Sequence, residues 1–139
     1  MLNKQIFVDT NILVYAHDRD AADKHRIAKD KVAYLWNRPM APAISVQVLQ
    51  ELYVNLIKKN VSADDARQTV IDYCEWHVVD NDYTLLMEGI GLRERWQSPF
   101  WDALILAAAK RAHASVIWSE DFNTGQTYDG IEVVNPLLT

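Results

Sequence analysis

Short apolar runs alternate with helical patterns along the whole chain, and this alternation restricts the fold more than any other feature. Five runs of four or five residues are predominantly apolar, as buried strands are. Between most of them lie longer segments with apolar residues on one face of a helix. A strand–helix–strand order favours a parallel sheet with helices on both faces. We therefore predict a single domain over residues 1–139, a three-layer α/β/α sandwich with a central, mostly parallel sheet.

Capping residues and proline position several of the helices. Ser62 and Asp82 are typical helix starts, and Pro39 ends a helix predicted around residues 22–37. Ser98 is predicted to cap a further helix whose first position is Pro99. Residues 123–130, rich in turn-forming residues, are predicted to form a loop. The predicted strands span residues 5–9, 41–45, 76–79, 115–118 and 131–134.

Four acidic residues lie near the ends of predicted strands or the beginnings of helices. Asp9 ends the first apolar run, and Asp121 follows the fourth. Glu51 lies about one and a half turns into the helix after the second strand, within reach of the same edge. Asp102 lies in the first turn of a very apolar helix, where the helix dipole favours negative charge. Ligands of parallel sheets bind outside the carboxyl ends of the strands, so we predict that all four carboxylates point to one end of the domain.

Carboxylates held close together point to a metal site. They repel one another, and one of them is usually forced to take a proton. A divalent cation that prefers oxygen ligands removes this penalty, which indicates Mg²⁺ or Mn²⁺. Such a site suits phosphodiester hydrolysis, because the cation can activate water, orient the phosphate and stabilise the leaving oxygen. The four histidines lack the spacing of a zinc site and are interpreted as surface or capping residues.

Charge, cysteine content and hydropathy narrow the class of protein. The net charge of −5 argues against broad affinity for nucleic acid, although basic clusters lie at residues 24–31, 58–59 and 110–111. A single cysteine, Cys74, suits a reducing compartment. Residues 1–4 are followed directly by a short predicted strand, not by the long apolar stretch of a signal peptide. No apolar segment reaches the roughly 18 residues that a membrane span needs. We therefore expect a cytoplasmic protein with no membrane segment.

The residues around the four acids resemble the motifs of the PIN-domain ribonucleases. The first resembles the family's hydrophobic strand leading into Asp-x-Asn, here Asp9 and Asn11. The other three follow in the family's order, so that the resemblance covers nearly the whole chain. Within the family, the sequence is most similar to the VapC-like toxins of toxin–antitoxin pairs. The four motifs lie at residues 7–13, 45–51, 100–105 and 119–122.

The resemblance implies a metal-dependent endoribonuclease that is commonly a homodimer and commonly silenced by an antitoxin protein. It implies RNA as the substrate and Mg²⁺ or Mn²⁺ as the cofactor. Pro99, which precedes the third motif, departs from the family's pattern. The resemblance assigns the catalytic and metal-binding roles to Asp9, Glu51, Asp102 and Asp121, and supporting roles to Asn11, Ser45 and Ser119.

Two adjacent acids compete for the fourth motif. Side chains of consecutive extended residues point to opposite faces, so only one of Glu120 and Asp121 easily faces Asp9. The motif places the acid just before Phe122. Asp121 is therefore assigned to the metal site, as the least critical of its four acids, and Glu120 is assigned to solvent.

Two other functions remain open on the sequence. A haloacid-dehalogenase-like phosphatase also has an aspartate after its first strand. It requires a second aspartate two residues later, where this chain has Asn11. A non-catalytic module that binds RNA or protein could keep the acids for stability alone.

The five tryptophans and several apolar helix faces also favour a homodimer.

Overall fold

A computed structural model describes residues 4–138, so that the N-terminal residues 1–3, considered above for a signal peptide, and Thr139 lie outside it. In the described part, one sheet contains six short strands, in the spatial order third, second, first, fourth, sixth, fifth. All neighbours are parallel except the last two strands, which are antiparallel. The strands are β1 (Ile6–Val8), β2 (Ala43–Ser45), β3 (His77–Val79), β4 (Val116–Trp118), β5 (Thr127–Tyr128) and β6 (Ile131–Val134).

Strand β1 lies in the middle of this sheet, between β2 and β4. Phe7 pairs with Ala43 on one side and with Ile117 on the other. Every residue of β1, β2 and β4 is buried. Strands covered on both faces are apolar throughout instead of alternating, which is why their sequences form continuous apolar runs.

Six α-helices cover the sheet within residues 4–138, and the predicted α/β/α sandwich is confirmed. The first helix along the chain packs against the second and third, and the third packs against the fourth. The fifth packs against the sixth, whose residues Ala103–Ala109 are all buried. None of these helices combines the length and apolarity needed to span a bilayer. The helices are α1 (Thr10–His17), α2 (Asp23–Trp36), α3 (Val46–Lys58), α4 (Ala63–Tyr73), α5 (Tyr83–Trp96) and α6 (Phe100–Arg111).

Helix α1 was not predicted from the sequence. Its β-branched and aromatic residues favour strands, and no glycine or proline separates it from β1. The structure shows that Asp9 is its N-cap, with an extended backbone and a side chain that accepts a hydrogen bond from the backbone N–H of Thr10. The buried residues Ile12, Leu13 and Ala16 then share one face. An aspartate before residues at this spacing was the available signal.

The start of α6 and the strand β5 also differ from the prediction. Pro99, not Ser98, is the N-cap of α6, with an extended backbone (φ −57°, ψ 145°). Its carbonyl accepts the first helical hydrogen bond, from the backbone N–H of Ala103. Because the ψ of Pro99 is not helical, Pro99 cannot be the first helical residue, and the cap moves from Ser98 to Pro99. Strand β5 lies inside the predicted loop 123–130, where it pairs with β6.

Candidate functional site

Asp9 lies at the junction of β1 and α1 and is buried. Its backbone N–H donates to the carbonyl of Trp118, which holds it beside the end of β4. The Ser119 hydroxyl donates to Asp9 Oδ2 at 2.8 Å, and the backbone N–H of Thr10 donates to Oδ1 at 2.7 Å. Asn11 Nδ2 is 3.5 Å from Oδ2. The carboxylate is thus fixed by groups from two adjacent strand ends.

Glu51 reaches the same edge of the sheet from α3. The Thr10 hydroxyl donates to Glu51 Oε1 at 2.6 Å, which links the start of α1 to α3. Gln47, one turn earlier on α3, donates to Oε2 at 3.4 Å. Ser45, predicted to support the site, is the N-cap of α3, and its hydroxyl accepts from the backbone N–H of Val48. Ser45 therefore acts on the site through the helix that carries Glu51.

Asp102 and Asp121 come from two further segments, the start of α6 and the loop after β4. Asp102 lies in the first turn of α6 and is partly exposed. Gln47 Nε2 donates to the carbonyl of Trp101 at 3.4 Å, a contact that ties α3 to this turn. Asp121 is exposed, and its backbone N–H donates to the Ser119 hydroxyl at 3.0 Å. Ser119 therefore connects Asp121 to Asp9.

The four predicted acids influence one another electrostatically. The pKa of Asp9 is raised to about 6, and burial is the largest cause. The negative charges of Asp121 and Glu51 also raise it, whereas the hydrogen bonds from Ser119 and Thr10 lower it. Burial also raises the pKa of Asp102, and the charges of Asp121 and Glu51 act in the same direction. Mutual repulsion of this kind means that the fully ionised site is disfavoured unless a cation is present.

Two cavities adjoin the acids. One, of about 390 Å³, is lined by Thr10, Glu51 and Asp121 among others. The second, of about 330 Å³, is lined by Asp102, Asp121 and Phe122 among others. Because Asp121 lines both, the two cavities meet at the fourth acid.

The residues present fit a hard divalent cation. Carboxylate and hydroxyl oxygens are the ligands that Mg²⁺ and Mn²⁺ prefer. Burial first, and then the charges of Asp121 and Glu51, raise the pKa of Asp9 and Asp102, and a bound cation would offset both effects. Across residues 4–138, no three acidic, histidine or cysteine side chains already stand close enough together to hold a metal ion. Glu51 is instead turned towards the hydroxyl of Thr10.

Glu120, which the sequence assigns to solvent, is only partly exposed and has two side-chain partners. Lys24 Nζ lies 2.6 Å from its Oε2, and the Tyr15 hydroxyl donates to its Oε1 at 2.6 Å. Burial alone would raise the pKa of Glu120, but Lys24 and Tyr15 outweigh it and hold the pKa below its usual value. The sequence did not predict these two contacts, because neither partner is close to Glu120 along the chain.

Three polar residues that bind the acids were not assigned to the site from the sequence. Thr10 and Gln47 bind Glu51, and Tyr15 binds Glu120. The available signal for Thr10 was its position directly after Asp9, and for Gln47 its spacing of four residues from Glu51. Tyr15 had no such signal, because α1 itself was not predicted.

The chain belongs to the PIN domain family, whose sequence pattern it matches over residues 6–129. The match includes all four motifs singled out from the sequence. No curated protein matches the sequence significantly.

Several solved toxin structures share this fold. A toxin–antitoxin complex from Klebsiella pneumoniae is 23% identical with a TM-score of 0.69, over 95% of this chain and 98% of that one. VapC20 of Mycobacterium tuberculosis, a toxin that cleaves the sarcin–ricin loop, is 21% identical with a TM-score of 0.66. The match covers 84% of this chain and 92% of that one. VapBC2 of Rickettsia felis, solved with a fragment of promoter DNA, is 18% identical with a TM-score of 0.61. This match covers 92% of this chain and 96% of that one.

Proposed function

We propose that this protein is a metal-dependent endoribonuclease and the toxin of a toxin–antitoxin pair. The observation that carries the proposal is the placement of four electrostatically coupled carboxylates, from four separate segments, at one edge of the sheet of a PIN domain. Toxins and toxin–antitoxin complexes among the structures with this fold support the biological role.

The four acids Asp9, Glu51, Asp102 and Asp121 would hold Mg²⁺ or Mn²⁺. When bound, the cation would lower the pKa of a water molecule and stabilise the leaving oxygen of the phosphodiester. The chain's own residues prepare this site, because Ser119 and the backbone of Thr10 orient Asp9. Ser119 and Asn11 also fix the loop that carries Asp121, since Asn11 Oδ1 accepts from the backbone N–H of Glu120 at 3.1 Å.

A cleavage assay with purified protein tests the proposal against its alternatives. A labelled single-stranded RNA should be cut in the presence of Mg²⁺ or Mn²⁺ and left intact with EDTA. A phosphatase would instead release phosphate from small phosphate esters, and a binding module would do neither. Intact RNA in every divalent cation, at protein concentrations that bind it, would refute the ribonuclease.

The partners follow as further parts of the proposal. The cognate antitoxin would be a protein encoded beside this chain, and its addition should suppress RNA cleavage. We also expect a homodimer, because large apolar side chains of α3 and α4 such as Tyr53, Val54 and Ile71 are more than a third exposed. Light scattering at micromolar concentration should give about twice the chain mass of 16.0 kDa, whereas a 16.0 kDa species would contradict the dimer.

A further inference from the structure

A cavity of about 410 Å³ lies away from the carboxylates, between the end of α1, the turn Arg19–Ala21, α2 and α4. Its lining includes the basic residues Arg19, Lys29, His17 and His25 and contains no carboxylate. We call it the basic pocket. Arg19 and Lys29 place two cationic side chains in the lining of the pocket, although the whole chain carries −5.

The two permanent charges of the basic pocket are not neutralised by ion pairs. Within the described residues, neither Arg19 nor Lys29 has a carboxylate oxygen within 4.0 Å. Of the acids near the turn, Asp18 pairs with Lys59 at 2.9 Å and Asp23 lies 3.9 Å from Arg26. Asp20 lies within the turn itself but does not come within 4.0 Å of Arg19 or Lys29. An anion entering the pocket would therefore meet two available cations.

An aromatic ring forms part of the wall of the basic pocket. The side chain of Trp36 is 41% exposed, and its ring packs against Tyr73 and Trp76 at centroid distances of 5.6 and 5.0 Å. These neighbours hold the indole in place while leaving part of it open. A fixed, exposed ring beside cationic side chains is the combination on which single-stranded nucleic acids stack their bases.

Helix α1 connects the basic pocket to the carboxylates. It begins at Thr10, which binds Glu51, and ends at His17 in the pocket wall; eight residues of helix span about 12 Å. Between the two ends, Tyr15 lines the cavity beside Glu51, and its carbonyl oxygen accepts from His25 Nδ1 at 2.9 Å. A single strand of a few nucleotides is therefore long enough to reach from one place to the other.

We propose that the basic pocket is a remote binding subsite for single-stranded RNA, which takes a phosphate on Arg19 and Lys29 and a base on Trp36. The proposal rests on the ribonuclease function above and adds how the substrate is held away from the scissile bond. The open indole and the short distance to the carboxylates along α1 favour RNA over an acidic protein segment, which would need the charges but not the ring.

Binding in EDTA tests the subsite without requiring cleavage. The probe is a fluorescein-labelled single-stranded RNA of about twelve nucleotides, followed by anisotropy at several salt concentrations. Arg19→Gln/Lys29→Gln should raise Kd roughly tenfold and reduce the salt slope by about 1.4, the value for two lost phosphate contacts to a single strand. The matched control Lys31→Gln/Arg93→Gln removes the same two charges outside the pocket and should change both quantities much less.

A pair of substitutions at Trp36 tests the base contact. Trp36→Phe keeps a ring that can stack, whereas Trp36→Leu does not, so only the second should weaken RNA binding several-fold. Circular dichroism melts establish that each variant is folded. Equal loss in the pocket and control double variants, or wild-type affinity of Arg19→Gln/Lys29→Gln, would overturn the subsite. If wild-type protein binds RNA through the pocket but does not cleave it with Mg²⁺ or Mn²⁺, the proposed function fails and the subsite stands.

Discussion

Asp9 combines a structural role with the chemical role proposed for it. Its side chain caps α1 and accepts a hydrogen bond from Ser119, which requires an acceptor, not a charge. Burial and the nearby Asp121 and Glu51 disfavour its ionised form. The residue thus contributes to the fold through its oxygens, while its negative charge is unfavourable until a cation is bound.

The pH dependence of stability should reveal this charge. Because the folded pKa of Asp9 is raised from 3.8 to about 6, its stabilising contribution is present below pH 4 and is lost as the pH rises through 6. The full change is on the order of 3 kcal/mol. In EDTA, the unfolding free energy of Asp9→Asn relative to wild type should therefore increase between pH 4 and 7. Urea melts across this range measure it, and a constant difference would contradict the raised pKa.

Substitutions of Asp121 and Glu120 should differ in their effect on the metal concentration that RNA cleavage requires. Asp121 raises the pKa of both Asp9 and Asp102, whereas Glu120 is held by Lys24 and Tyr15. Asp121→Asn should cut RNA cleavage partially and raise the Mn²⁺ concentration needed for half-maximal rate. Glu120→Gln should leave that concentration close to the wild-type value. A larger change in metal requirement for Glu120→Gln would show that the wrong neighbour was assigned to the site.

At the scale of the elements, the contact between α5 and α6 positions Asp102. Gly89 allows this close approach, because a Cβ there would lie 2.7 Å from Leu104 Cδ2 in the buried core. Gly91, two residues later on α5, has no atom within 4 Å of such a Cβ. The two glycines therefore form a matched pair within one helix.

Alanine substitutions at these glycines should have opposite effects. Gly91→Ala should stabilise the protein by up to about 1 kcal/mol, the gain in helix propensity. Gly89→Ala should be destabilising, since overpacking a core typically costs about 1–3 kcal/mol and exceeds that gain. Thermal melts of the two variants provide the comparison. Equal stability of the two would mean that α5 can shift away from α6 without cost.

The sequence predicted the elements whose signals are local. The apolar runs of β1 and β4 and the caps Ser62 and Asp82 correspond to structure, because burial and capping act within a few residues. Helix α1 was missed because its residue propensities favour a strand, and only tertiary packing makes this segment helical. Strand β5 forms a tight hairpin with β6, in which Tyr128 pairs with Ile131. Its signal was local too, since Asp129 and Gly130 both have positive φ, as Asp-Gly hairpin turns require, but residues 123–130 were interpreted only as a loop.

The candidate site was predictable as a set of acids, but its internal contacts were not. The position of each acid follows from the ends of strands and the starts of helices. The hydrogen bond between Thr10 and Glu51 joins residues 41 positions apart, and the one between Ser119 and Asp9 joins residues 110 apart. Such contacts depend on the order of the strands in the sheet, which local patterns do not determine.

At the scale of the whole molecule, the sheet order brings the acids together. Strands β2 and β4 lie on opposite sides of β1, so the chain reverses its direction of winding beside Asp9. Ligands of open α/β sheets bind at such a switch point. The site is therefore built by the entire fold, and a cation bound there should stabilise all of it.

Metal addition and removal should change the stability of the folded protein. A ligand that binds only the native state stabilises it by roughly 2.7 kcal/mol at 100 times its Kd. Melting temperatures should rise with Mn²⁺ or Mg²⁺ and return to the starting value with EDTA. Asp102→Asn should weaken the response, whereas Asp30→Asn, an exposed acid on α2, should retain it. An unchanged wild-type melt at millimolar metal would exclude tight binding to the native state.

The most direct test of the account is the rate of Mn²⁺-dependent RNA cleavage by Asp9→Asn, Glu51→Gln and Asp102→Asn, each verified as folded. Removing one carboxylate removes charge that the cation needs, so each variant should lose nearly all EDTA-sensitive cleavage. The control Asp30→Asn should cleave like the wild type. Wild-type rates in any two of the three site variants would contradict a metal-dependent ribonuclease centred on these carboxylates.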